Sequence, residues 1–308
     1  MKFSQIWCKI RRAKEKEGKG MARNRIKVNP DVLKWAIDES QIDHAILAKR
    51  FPKIDQWLTG ELFPTFNQLE NLSSALHIPF GYLFLQQPPK IDRISTEFRT
   101  IESKTITRRS RNLTDTLLSM DQKARWMREY RINEGYNKLP FIGILSDSTN
   151  VENFVTLAYR ILDIDKNWFK QISDSDQAFK FIRNRIESKG ILVMLNGKVG
   201  SNTHRKLDPK EFRAFTIVDE YAPLIFINTV DSKNARLFSL MHEFFHLLLG
   251  EDDLMTQNLS KQNEATCNKA TAEFLAPRNY LMTKWKADKD HELQITNLAK
   301  ELKVSELV

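Results

Sequence analysis

His242-Glu243-Phe244-Phe245-His246 is the stretch on which the reading of this chain turns. Asn234-Ala235-Arg236-Leu237-Phe238-Ser239-Leu240-Met241 leads into it, and Leu247-Leu248-Leu249 carries it on to Gly250, a residue that readily closes a helix. Apolar residues lie nearly all round this segment, which predicts a buried core helix. Residues four apart stand one above the other on a helix face, so the imidazoles of His242 and His246 can share one metal ion. Glu243, one step away, can reach an activated water and take its proton. Two histidines and a glutamate are costly inside an apolar helix unless they are paired or ligate a metal, which makes ordinary core histidines the weaker reading.

Catalytic zinc takes three protein ligands and keeps one position for water, so a third ligand is required. The nearby acids are Glu251, Asp252, Asp253, Glu264 and Glu273. The first three follow Gly250 in a polar stretch that reads as a solvated loop. Glu264 and Glu273 fall on a predicted helix over 261–275; nine residues apart, they point to opposite faces and cannot both meet one ion. Glu264 is favoured, because its face continues with Cys267, Asn268, Thr271 and Leu275, with Ala265, Ala272 and Ala276 allowing close approach. Asn268, one turn on, is placed to hydrogen-bond a ligand. Glu273 reads as an exposed charge and Cys267 as a small buried thiol.

His242-Glu-Phe-Phe-His246, then Glu264-Ala-Thr-Cys267-Asn268 and Ala272-Glu-Phe-Leu-Ala-Pro277, resemble the ImmA/IrrE family of zinc metallopeptidases. The resemblance implies a third zinc ligand at Glu264, in agreement with the helix-face argument. Phe212-Arg213-Ala214-Phe215 and Pro223-Leu224-Ile225-Phe226-Ile227-Asn228 look like the family's two strands before the active-site helix, with Ala214 where a glycine is usual. Near the C-terminus, Leu298 to Ser305 resembles the first helix and turn of a small helix-turn-helix, ending where a second helix would begin.

The chain has 308 residues, 41% of them apolar, enough for a sizeable core and two domains. No apolar run reaches the length of a membrane span and the N-terminus lacks the apolar stretch of a secretion signal, so a soluble cytoplasmic protein is expected. Cys8 and Cys267 are the only cysteines, far apart in sequence, which argues against a disulfide framework. The net charge of +9 suggests nucleic acid, yet basic against acidic residues number 7 against 2 over 1–20, 8 against 7 over 21–90, 10 against 7 over 91–135 and 23 against 23 beyond. The excess is thus a basic N-terminal arm, 1–20, able to touch phosphate, and a middle helix.

Residues 21–90 read as short helices at Asp31–Glu39, Asp43–Arg50, Lys53–Thr59, Thr65–Leu76 and Phe80–Leu85, separated by Pro52, Gly60, Pro64 and Pro79. Gln56-Trp57-Leu58-Thr59-Gly60-Glu61 and Pro64-Thr65-Phe66-Asn67-Gln68-Leu69 resemble an Xre-type helix-turn-helix, which implies docking of DNA or a repressor. The expected recognition helix begins Phe51-Pro52-Lys53-Ile54-Asp55-Gln56, short and carrying an acid, which argues against sequence-specific DNA reading and leaves a structural or protein-docking use the stronger. Pro88-Pro89-Lys90 and Ser95 to Thr100 read as an extended linker, and a helix over 114–134 as a brace, so that 91–140 joins the two modules. Further helices are expected at 150–162 and 174–188, and a strand at Ile191–Leu195.

The expected architecture is α+β: an all-α helix-turn-helix domain followed, over 141–308, by a zincin-like metallopeptidase domain with a small antiparallel sheet and the His-Glu-x-x-His helix. The resemblance implies a zinc-dependent regulatory endopeptidase, with Glu243 as general base and zinc on His242, His246 and Glu264, cleaving a DNA-binding repressor or antitoxin. A small toxin encoded nearby is a further implied partner. The competing expectation is a helix-turn-helix regulator or antitoxin whose zinc is structural. Tyr221, His204 and Tyr280 are candidates by sequence position alone for an electrophilic helper.

Overall fold

The computed structural model describes residues 25–40, 42–89, 110–146, 148–250, 261–288 and 290–308. The basic arm, Cys8, most of the linker, and Glu251, Asp252 and Asp253 lie outside the described residues. The chain divides into two compact units, 1–92 and 93–308.

In the first unit, α1 (Pro30–Ser40), α2 (His44–Arg50), α3 (Ile54–Thr59), α4 (Phe66–Leu76) and a 3-10 turn (Phe80–Phe84) follow one another. Their ends are set by local chemistry. Asp43 accepts the Ala45 N–H at 2.7 Å to start α2, and Gly60, at φ +76°, closes α3 in backbone that a side chain would strain. Thr65 and Gln68 form a reciprocal capping box at α4. Leu33, Leu47, Ile54, Trp57, Leu69 and Leu83 bring all five elements into one core. The expected helix at 80–85 is tightened into 3-10 form, as a five-residue segment after Pro79 has room for little else.

The second unit contains α5 (Arg111–Asn133), α6 (Val151–Leu162), a 3-10 turn (Trp168–Gln171), α7 (Ser175–Ser188), β1 (Leu192–Asn196), β2 (Ala214–Ile217), β3 (Leu224–Asn228), α8 (Lys233–Leu249), α9 (Lys261–Leu275), α10 (Arg278–Lys284) and α11 (His291–Leu302). The three strands lie in the order β1-β3-β2. β2 runs antiparallel to β3, but β1 runs parallel to it, so the sheet is mixed and not antiparallel as expected. The reason is the path of the chain: β1 and β2 are the outer strands, and β3 folds back from β2 into the gap between them. The run Leu224-Ile225-Phe226-Ile227 carries the signature of that central place, since a strand covered on both faces needs no polar alternation.

Alternation divides the sheet residues between two layers. Val193, Ile225 and Ile227 face the main core, where α8 contributes Leu237, Leu240, Met241, Phe244, Phe245 and Leu248. Phe215, Leu224 and Phe226 face the other way and meet Leu113, Leu117, Met120 and Ala124 of α5. The helix expected to brace two modules is therefore a layer of the second unit, covering the sheet opposite α8. Each such buried Leu or Phe contributes about 1.5–3 kcal/mol. At the C-terminus the expected helix is present as α11, but Ala299, Leu302 and Val304 are buried in the main core instead of forming a separate module. Among the described residues no helix is long and apolar enough to cross a membrane.

Candidate metal centre

The site is built on α8, and both ends of that helix are fixed. Ser232 accepts the Ala235 N–H at 3.3 Å to start it. At the other end, the N–H groups of Gly143 and Leu145 donate to the carbonyls of Leu247 and Leu248 at 3.0 and 2.8 Å, satisfying acceptors that a helix leaves unpaired. Gly250 caps the helix at φ +73°, and a Cβ there would stand 2.8 Å from the Cα of Gly143. Only glycine fits this contact, which holds the last turn of α8 in place.

On that helix the His242 and His246 rings face one another, with Nε2 atoms 2.9 Å apart. Glu264 of α9 completes a triangle: Oε1 lies 3.4 Å from His242 Nε2, and Oε2 lies 3.4 Å from His246 Nε2. The three side chains together can hold a metal ion. His246 is fully buried, whereas His242 is 13% and Glu264 24% exposed, so the group opens to solvent on the side of those two. His242 stacks against Phe238, and its Nδ1 is buried with no hydrogen-bond partner among the described residues. Burial by itself would raise the Glu264 carboxyl, but hydrogen bonds and charge from His242 and His246 reverse this and hold it well below the usual carboxylate range.

Glu243 lies one residue along α8 and is 4% exposed. Thr216, in the middle of β2, donates its hydroxyl to Glu243 Oε2 at 2.7 Å. The reach follows from the register: Thr216 pairs with Ile225, and both face α8, while Phe215 and Ile217 face α5. Thr216 was not among the residues expected at the site. The signal for it is one polar residue in the otherwise apolar strand Ala214-Phe215-Thr216-Ile217, on the same face as the small Ala214.

The other expected residues lie elsewhere. Asn268 sits on an exposed part of α9. Glu273, expected as an exposed charge, is half-buried and accepts the Arg278 N–H with both oxygens, at 3.2 and 3.3 Å, so it caps α10. Cys267 is fully buried in the main core. Tyr221 lies beneath the Arg128 and Lys138 cations, Tyr280 donates its hydroxyl to Glu301, and His204 is exposed.

An α+β unit with a three-stranded sheet, a buried helix carrying two histidines and a glutamate, and a second helix supplying a carboxylate has the layout of a metal-dependent peptidase. Residues 186–308 match the model of a peptidase family described as the IrrE N-terminal-like domain. The match supports a metallopeptidase domain of the ImmA/IrrE type over this part of the chain. The match starts within α7, takes in the sheet, α8 and α9, and runs through α11. No curated protein matches the chain.

Proposed function

We propose that the second unit is a zinc-dependent regulatory endopeptidase, and that the first is a helix-turn-helix module, α2 and α3, which docks its substrate, a DNA-binding repressor or antitoxin, in the cytoplasm. The observation that carries this is the convergence of His242, His246 and Glu264 beside the buried Glu243. Two imidazoles and a carboxylate are a donor set that zinc favours. Tetrahedral ligands about 2.1 Å from a central ion lie about 3.4 Å apart. The two histidine-to-glutamate contacts, at 3.4 Å, are of that size but run to different carboxylate oxygens, and the 2.9 Å between the imidazoles is tighter.

Bound here, the ion would polarise a peptide carbonyl and acidify a water. Glu243 would take the proton of the attacking water and hand it to the departing amine. Half-burial of Glu264 and full burial of His246 would keep bulk water from the reacting groups on one side. β2 ends the sheet on the side that carries Thr216, so a substrate segment could add to its outer edge and present its backbone without strong side-chain selection. Selection then falls to the first unit. Its α3 presents Lys53, Asp55 and Gln56, and Asp55 is tied to His44 of α2 at 3.0 Å, a mixed-charge surface better suited to a protein than to phosphate.

The test is co-expression of the chain with the small repressor, antitoxin or toxin encoded beside it, with mass spectrometry for cleavage. Wild type should cut one such protein at a single site. Glu243→Gln should bind zinc as well as wild type and lose about 100-fold or more in cleavage rate. Unchanged cleavage by Glu243→Gln would refute the catalytic reading and favour a regulator in which the metal is structural.

A further inference from the structure

The contact between β2 and α8 carries one step more. We propose that Thr216 is a positioning residue: its hydroxyl fixes the orientation of the Glu243 carboxylate. This rests on the reading of Glu243 as the general base.

Thr216 Oγ1 lies 2.7 Å from Glu243 Oε2 and 3.3 Å from the backbone carbonyl of the same residue. A hydroxyl has a single proton to give. The shorter contact is to a carboxylate oxygen, well within hydrogen-bond range, whereas the carbonyl contact is long, so the proton belongs to the carboxylate. Thr216 is fully buried and Glu243 nearly so, and the bond is therefore little weakened by water. Glutamate has several side-chain torsions, and a donor on a different element removes the freedom that α8 alone would leave it. The donor itself is held rigidly. β-Branching restricts χ1 of Thr216, and its strand is hydrogen-bonded to β3 with Phe215 and Ile217 anchored in the opposite layer. A need only to fill space does not explain a hydroxyl here, because valine has the same shape and would bury no polar atom.

The experiment uses the full chain loaded with zinc and titrated with acetohydroxamate, whose proton must be shared with the carboxylate beside the metal. Wild type, Thr216→Val, Thr216→Ser, Glu243→Gln and the Thr216→Val/Glu243→Gln double variant are compared by calorimetry, with zinc content and melting temperature measured for each. All should hold one zinc. Thr216→Val should weaken acetohydroxamate about tenfold, the scale of one hydrogen bond to a charged group, while Thr216→Ser stays within about threefold of wild type. Adding Thr216→Val to Glu243→Gln should cost nothing further, since the group it orients is already gone. Thr216→Ala offers a second hydroxyl-free variant should the valine variant not fold. Hydroxyl-free variants that bind acetohydroxamate as wild type does, a loss that persists in the Glu243→Gln background, or a serine variant as weak as the valine one would each overturn the inference and leave the zinc site standing. Wild type that binds no zinc, or binds zinc but no acetohydroxamate, would overturn the reading of the site and this inference with it.

Discussion

Among the described residues of the second unit, two clusters of poorly exposed charged or ionisable groups are organised in opposite ways. In one, Asp115 of α5 accepts from Arg111 at 2.9 Å and from Arg205 at 2.7 Å, while Arg205 also donates to Asn112 at 3.0 Å. Donors meet acceptors, and opposite charges pair. In the other, His242, His246 and Glu264 turn two imidazole nitrogens and two carboxylate oxygens toward one point, with the Glu243 carboxylate on the next position of α8. Once free of their Nε2 protons the imidazoles would offer that point lone pairs, as the carboxylate does. The first cluster sets opposite charges directly against one another. The second is an excess of acceptors that a cation would complete, and this asymmetry separates a structural ion network from a binding site when both are buried to a similar degree.

The comparison can be broken most sharply at Glu264. Glu264→Ala should lower zinc affinity by more than about 100-fold, beyond the 10–100-fold typical of an outer-shell partner, as read by competition with a chromophoric chelator. Zinc present at a thousand times its dissociation constant should stabilise wild type by about 4 kcal/mol and the variant by much less. Equal zinc affinity in the two proteins would show that the carboxylate does not ligate.

Asp115→Ala tests the other cluster and should do the reverse. Removing the acid leaves two guanidinium groups, each 10% exposed, facing one another without their shared partner. Breaking such a pair costs about 3–5 kcal/mol when fully buried, and somewhat less with the partial exposure here. Denaturant unfolding should reveal that loss while zinc stoichiometry stays at one per chain. Loss of zinc in Asp115→Ala at temperatures where the chain remains folded would mean that the two clusters are not separable.

The two clusters also differ in how far they could be read in advance. The pentapeptide on α8 was legible because helix periodicity converts a spacing of four residues into proximity, and Glu264 because a predicted helix sorts its acids onto faces. Asp115 and Arg205 are ninety residues apart in sequence and carry no periodic signal, so only the packing of α5 on the sheet brings them together. Thr216 falls between these cases. Its face could be inferred from strand alternation, but its partner depended on where β2 lies against α8. The sheet direction was misread for a related reason. A small antiparallel sheet was expected, whereas the unbroken apolar run of β3 already argued for a central strand covered on both faces. Helices capped at Asp43, Thr65, Asn150, Asp174 and Ser232 were found to within a residue or two, whereas those capped at Ser110 and Asp290 begin three or more residues earlier than expected. α10 escaped because it is seven residues long and its first turn is held by Glu273, a carboxylate from the preceding helix.

That last carboxylate gives the smallest and most discriminating effect. Glu264 and Glu273 occupy the same helix, nine residues apart, and by composition either could serve a metal. Glu273 instead accepts the N–H of Arg278 and ends on backbone. Glu273→Ala should cost about 1 kcal/mol, the usual worth of a helix cap. For a unit of this size that is a fall of roughly 2–4 °C in melting temperature. Zinc affinity should be unchanged, because opposite helix faces keep this side chain from the cluster. A Glu273→Ala variant that loses zinc while melting like wild type would reverse the assignment of the two acids, and with it the claim that helix face, not residue type, selects the ligand.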